Sequence, residues 1–294
     1  MATSTVTFTD LKTTTATLFR EAIDTIPLYL WLARSQTWPN ELAPPVTTKT
    51  DFENIRVRDN FRYWVRLNLP DTAIAIPRIN WVQGTVYAQY SDTDPDLLTK
   101  NFYVMTGTNA IYKCISNNDG ATSVDVPVGT STNQFTTADG YVWKFMYNIP
   151  TTMNKFISST FIPVPLGTQR TIFHTQVEEA AVYTIGGPPD GHGSSAAREL
   201  GAGYLLINKV IDLSDDFDSI GATTQSPFIH RQFGLISAPT LATNALATGS
   251  HYFPDYDLPD AIDKQSGQIL NCTNHAVVSG AVDTTEQIQI IISF

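Results

Sequence analysis

Between Asp139 and Pro150 the chain reads DGYVWKFMYNIP, with a large ring at every second position. Tyr141, Trp143, Phe145 and Tyr147 alternate with Val142, Lys144, Met146 and Asn148. Side chains on a strand point to opposite faces with period two, so this spacing predicts a strand with one face of rings. Asp139-Gly140 in front is turn chemistry, and Ile149-Pro150 closes the strand, because proline lacks a ladder N–H. A second alternation, Ile288, Ile290 and Ile292 before Phe294, predicts a C-terminal strand with one buried face. Such a strand is expected to pair with one laid down much earlier. That pairing would make the first domain discontinuous and the middle of the chain an insertion.

Helical periodicity is confined to the front. Asp10 is placed to cap a helix from Leu11 toward Ile23, with Leu11, Leu18, Phe19, Ala22 and Ile23 as its apolar stripe. Pro27 ends it, and Leu28 to Ala33 reads as a buried strand. Trp38-Pro39 through Pro44-Pro45 is irregular, and a second helix is expected from Lys49 to Asn60. From there the pattern is β: Tyr63 to Val65, Ala73 to Ile76, Trp81 to Tyr90, Phe102 to Met105, Ile111 to Ser116, Tyr204 to Ile211 and Phe228 to Leu235. Ser91 to Lys100, Asn117 to Asp139 and the GGPPDGHGSS stretch, Gly186 to Ser195, read as connections.

Composition adds the character of the surface. The 294 residues are enough for two or three domains, and only 16% are charged, against roughly 25% in ordinary globular proteins. A polar surface with few ions is cheap to desolvate, which favours large interfaces. The net charge of −10 argues against nucleic acid as the main partner. The densest basic stretch holds Arg56, Arg58, Arg62 and Arg66 with Asp59 among them, and reads as a solvated helix face. Cys114 and Cys272 sit in apolar strand-like surroundings and read as buried free thiols. The N-terminal residues lack the basic and apolar regions of a signal peptide, and Ile26 to Ala33 is the longest candidate for a membrane span, far below 18 residues. Synthesis in a cytoplasm and no membrane association are therefore expected.

Catalytic and metal-binding patterns are weak. His174, His192, His230, His251 and His275 show no H-x-x-x-H spacing and read as isolated structural residues. Asp92, Asp94 and Asp96 mimic the start of a calcium loop, but Pro95 intrudes, Leu97 replaces the glycine and Tyr103 replaces the bidentate glutamate. Asp212, Asp215, Asp216 and Asp218 read as a solvated turn. Gly186 and Gly191 have phosphate-loop spacing, yet His192-Gly193 stands where lysine and a hydroxyl residue are needed. No G-x-S-x-G elbow occurs. Carboxylate pairs distant in sequence leave a glycan-processing or sugar-binding β-sandwich open as the alternative.

Several short pieces carry a family resemblance in order along the chain. They are Ala33-Arg34-Ser35-Gln36-Thr37-Trp38 with Ala43-Pro44-Pro45, Ala75 to Trp81, Ile111-Tyr112-Lys113-Cys114, Asp139 to Trp143, Ser266-Gly267-Gln268-Ile269 and Asp283 to Ile288. In these the chain resembles the T4-type phage baseplate wedge subunit that sits as a dimer in each wedge of a contractile tail. The resemblance implies a mainly β fold with a small α/β part, in three nested domains of which two are antiparallel β-sandwich or barrel-like insertions. The boundaries would be 1–90 plus 263–294 for the α/β base, 91–170 for the first inserted β domain and 171–262 for the second. It also implies a virion structural protein without enzymatic activity or cofactor, a homodimer held among other baseplate wedge proteins. Trp38, Trp81, Tyr141, Trp143, Phe145, Ile288, Ile290 and Ile292 are the landmark and core residues on this reading. No catalytic, cofactor or metal residue is assigned.

Overall fold

The structure, a computed structural model, describes residues 8–33, 36–48, 61–91, 93–131, 133–166, 196–197, 199–212, 228–237, 251–252, 268–280 and 285–294. The expected helix from Lys49 to Asn60, the Gly186–Ser195 stretch and Asp215, Asp216 and Asp218 lie outside them. Among the described residues one α-helix, α1 (Phe8–Ala22), precedes the strands. These are β1 (Leu28–Ala33), β2 (Phe61–Arg66), β3 (Thr72–Pro77), β4 (Tyr103–Met105), β5 (Ala110–Ser116), β6 (Phe135–Thr136) and β7 (Val142–Asn148). They continue with β8 (Phe161–Pro163), β9 (Tyr204–Asp212), β10 (Phe228–Ser237), β11 (His251–Tyr252), β12 (Gln268–Gly280) and β13 (Thr285–Ser293). The fold is mainly β, and every strand pair whose register is described is antiparallel.

The chain divides into two compact units. Unit 1 comprises residues 1–20, 73–207 and 290–294; unit 2 comprises 21–72 and 208–289. Unit 1 contains the sheet β4-β5-β7-β6. A further sheet, ordered β13-β9-β3-β8, pairs Ala75 with Pro163 and Ile76 with Ile162. Ala73, Ala75, Phe156 and Leu206 form a buried cluster there, with Met153, Phe161 and Tyr204 packed on it. At the C-terminus the Phe294 amide donates to the Gly203 carbonyl at 3.0 Å, and its ring lies 5.6 Å from that of Phe19.

Helix α1 begins earlier than the sequence reading placed it, so Asp10 lies within the helix and not at its cap. The buried face is only in part the expected one. Thr13, Ala16 and Ile23 are buried, while Leu11 and Leu18 are exposed. Small side chains at 13 and 16 permit close approach of a neighbour, and the hydroxyls of Thr15 and Thr17 bond back to the Leu11 and Thr13 carbonyls. Residues Trp81 to Tyr90, expected as a strand, form a loop joined to its surroundings by the isolated bridge Thr85↔Ser123, with a second bridge, Asn80↔Met105, just ahead of it.

Unit 2 is built on the five-stranded sheet β11-β2-β1-β10-β12. All six residues of β1 are buried, as befits a continuous apolar run in the middle of a sheet. Trp31 sits opposite Gly234 of β10. A Cβ at Gly234 would come within 1.9 Å of the Asn271 carbonyl oxygen and 2.4 Å of the Trp31 ring, so only glycine fits beneath the indole. Neither cysteine forms a disulfide and both are buried, Cys114 in β5 and Cys272 in β12. Burial, with the charge of Asp139 adding to it, pushes the Cys114 thiol up to about 12 and makes it unreactive.

Candidate functional site

The ringed strand lies in the middle of unit 1. β5 pairs Cys114 with Trp143 and Tyr112 with Phe145, but Ile111 with Tyr147. Met146 is therefore an extra residue on β7, a bulge that turns the period of the strand by one. Trp143 and Phe145 share the face of Tyr112 and Cys114, whereas Tyr147 turns to the opposite face beside Ile111. The expected ladder of four rings thus becomes three rings on one face and one on the other. Tyr147 is buried there, and its hydroxyl donates to the Pro163 carbonyl at 3.1 Å.

Tyr141, Trp143, Tyr87, Val104, Ala110, Tyr112 and Cys114 form one buried cluster, flanked by Ile79, Trp81, Phe135 and Phe145. Tyr141 stacks on Trp143 at 5.5 Å and Tyr87 meets Trp143 edge-on at 5.7 Å. Tyr112 touches Phe135 and Phe145 edge-on at 6.0 and 5.7 Å. Such pairs add about 0.5–1.5 kcal/mol each beyond the area they bury. Of the other landmark residues, Trp81 is half-buried on this cluster, and Trp38 is buried in unit 2, where its indole donates to the His275 carbonyl at 2.9 Å. Ile288 and Ile290 are buried and Ile292 is half-buried, while Ile291 between them is exposed. The structure gathers Trp81, Tyr141, Trp143 and Phe145 in one place and leaves Trp38 and the isoleucines elsewhere.

The surface next to the rings is made by two loops. The Thr85–Ser123 bridge joins residues 81–90 to the long connection 117–139. Asp139 holds that connection in shape. Its carboxylate accepts from the amides of Val124 at 2.8 Å, Asp125 at 3.0 Å and Tyr141 at 3.2 Å, and from the hydroxyls of Thr137 and Ser123 at 2.5 and 3.1 Å. Burial alone would push its pKa up, but the bonds from Thr137 and the three amides outweigh burial and hold it at about 2. Gly140 turns with φ of +82°, and a Cβ there would meet the Asn118 amide at 2.7 Å. The Tyr141 hydroxyl donates to Ala121 at 2.5 Å and that of Tyr112 to Gly129 at 2.8 Å, so core rings tether the loop. Val82, Val86, Val124, Val126 and Val128 are exposed on these two loops, Val128 at 68%. The sequence reading passed over these valines, although a Val-x-Val-x-Val run inside a polar loop is a visible signal.

The opposite face of the sheet carries charge. Lys113 is buried in β5, pairs with Glu199 and lies 3.8 Å over the Tyr90 ring; Lys144 of β7 reaches the same carboxylate at 3.9 Å. Of the calcium-like triplet, Asp92 lies outside the described residues and Asp94 is engaged by its neighbours. Its carboxylate takes the Lys100 ammonium at 2.5 Å and the Asp96 amide at 3.0 Å, and the Lys100 bond holds its pKa down. Among the described residues no group of three or more His, Cys, Asp or Glu is arranged to hold a metal ion. His230 and His275, expected to be isolated, lie 3.2 Å apart between ring nitrogens. No described helix is long and apolar enough to cross a membrane.

No curated protein matches the chain. The profile of the family described as Bacteriophage T4, Gp8 matches residues 98–294, about two thirds of the sequence, including the ringed strand β7, the connection pinned by Asp139 and the C-terminal strand. That family is one of structural proteins of the phage baseplate. The chain belongs to the Bacteriophage T4 Gp8 family, whose place is the virion tail.

Proposed function

We propose that the protein is a wedge component of a contractile-tail baseplate that holds neighbouring wedge proteins through rigid β units, as a homodimer and without an enzymatic step or cofactor of its own. It would be made in the host cytoplasm, and its three nested domains would follow the boundaries given above. The family match over residues 98–294 carries this reading. The Asp139-centred loop supports it, since a surface held by five hydrogen bonds to one carboxylate presents its valines with little ordering left to be done on docking.

The sugar-binding alternative needs an exposed aromatic platform. Every aromatic ring whose burial is described is buried or half-buried. Replacing Val126 and Val128 by aspartate is the test. The variant is expected to melt like the parent and to lose co-assembly with the other wedge proteins. Full co-assembly by the variant would place the docking surface elsewhere.

A further inference from the structure

Within unit 2, His230 on β10, His275 on β12 and Glu286 on β13 stand in line. β10 and β12 pair His230 with Val278 and Gln232 with Asn274, so His275, Ala276 and Val277 together face the single residue Arg231. A bulge of this kind re-aims side chains. Here it sets His275 Nε2 3.2 Å from His230 Nδ1, while His230 Nε2 lies 2.7 Å from Glu286 Oε2. At the far end His275 Nδ1 lies 2.6 Å from the Ala276 carbonyl oxygen. His230 is 1% exposed.

Three hydrogen bonds in series need three protons. A carbonyl only accepts, so His275 Nδ1 carries the first, the second lies between the rings, and the third lies between His230 and Glu286. Two neutral imidazoles supply two protons and an ionised carboxylate supplies none. We propose that the Glu286–His230–His275 chain holds one proton beyond that complement, and that this proton clasps the β12 bulge and the segment 38–46 onto β10. The segment is attached at the bulge itself. The Trp38 indole donates to the His275 carbonyl at 2.9 Å, the Asn274 amide to the Pro45 carbonyl at 2.8 Å, and Arg231 Nε to Glu41 at 2.8 Å. Leu42 and Val46 are exposed on this segment.

Among the described residues the charged groups facing the chain are Arg231 from β10, Glu41 from the segment and Glu286 itself. Burial holds His275 below the usual imidazole range; the Ala276 carbonyl and Glu286 oppose this, and His230 and Arg231 reinforce it. His275 is therefore the neutral ring, and the extra proton belongs to the His230–Glu286 pair as a unit.

Once the third proton is lost, His230 Nε2 and the Glu286 carboxylate are both acceptors and the series is broken, so protection of the clasped segments falls. Glu286→Gln discriminates, because an amide N–H donates to His230 Nε2 and completes the series without the third proton. Hydrogen exchange of residues 38–46 and 272–278, corrected for intrinsic rates, is followed from pH 6 to 10 in both proteins. Protection in the parent is expected to fall by up to about tenfold per pH unit once the third proton is removed, and in Glu286→Gln to stay level. Ring-nitrogen NMR of the parent gives an independent reading that needs no variant to fold. Matching pH profiles in the two proteins, or both rings titrating near the free value, would overturn the proposal.

Discussion

Trp143 and Gly234 show how strongly single positions are constrained. Trp143 is wholly buried between Tyr141 and Tyr87, and Trp143→Ala is expected to cost about 3–5 kcal/mol. Denaturant unfolding measures this, and a loss below about 1 kcal/mol would place the ring on a surface instead. Gly234 is constrained by backbone as well as by Trp31, so Gly234→Ala should reach or exceed the roughly 1–3 kcal/mol of ordinary overpacking. Asp139 gives a pH signature. Its folded value of about 2 lies below the roughly 3.9 of an unfolded aspartate. The native state therefore binds fewer protons across that interval, and the stabilisation is present above about pH 4 and lost as pH falls through about 2. Melting temperature from pH 6 to 2 should drop more steeply in the parent than in Asp139→Asn, which has no carboxyl to titrate.

At the scale of elements, the strands readable in the sequence were those whose signal is local. β1 is a continuous apolar run after Pro27, and β13 alternates isoleucines with polar residues. Two features required knowledge of a partner. The bulge at Met146 exists only because β5 pairs Ile111 with Tyr147 and Tyr112 with Phe145, and unbroken alternation gives no hint of it. Trp81 to Tyr90 has the composition of a strand, yet three of its amides turn to side chains, Val82 to the Tyr87 hydroxyl, Tyr87 to the Tyr141 hydroxyl and Ala88 to Asn101, and the rest that bond backbone scatter over several partners. In α1 the large apolar residues suggested the buried face, whereas Thr13 and Ala16 occupy it. The candidate surface was legible as a long connection but not as a pinned one, because Asp139 looks in sequence like an ordinary turn residue. The closing strand makes an element-level prediction. Ile290 to Phe294 belongs to unit 1, and Phe294 bonds Gly203. Removing Ile288 to Phe294 would leave the β9 edge uncovered, and the truncated protein is expected to lose its cooperative melting transition. An unchanged melt would show that β13 is dispensable.

For the whole molecule, the weakly charged surface, the family match and the buried rings point the same way. Low charge reduces the desolvation cost of docking, and on the proposed reading rigid units reduce the ordering cost, so assembly would depend on shape more than on ionic attraction. Association is accordingly expected to be only weakly sensitive to salt, and a steep loss of binding on raising ionic strength would point to charge pairing instead. The central claim is that this chain works by being built into a larger object. Mass in solution, measured alone and after mixing with the other baseplate wedge proteins, tests it most directly. Two copies alone and a single larger complex on mixing are the result the account predicts. A monomer that stays separate from every wedge protein would contradict it.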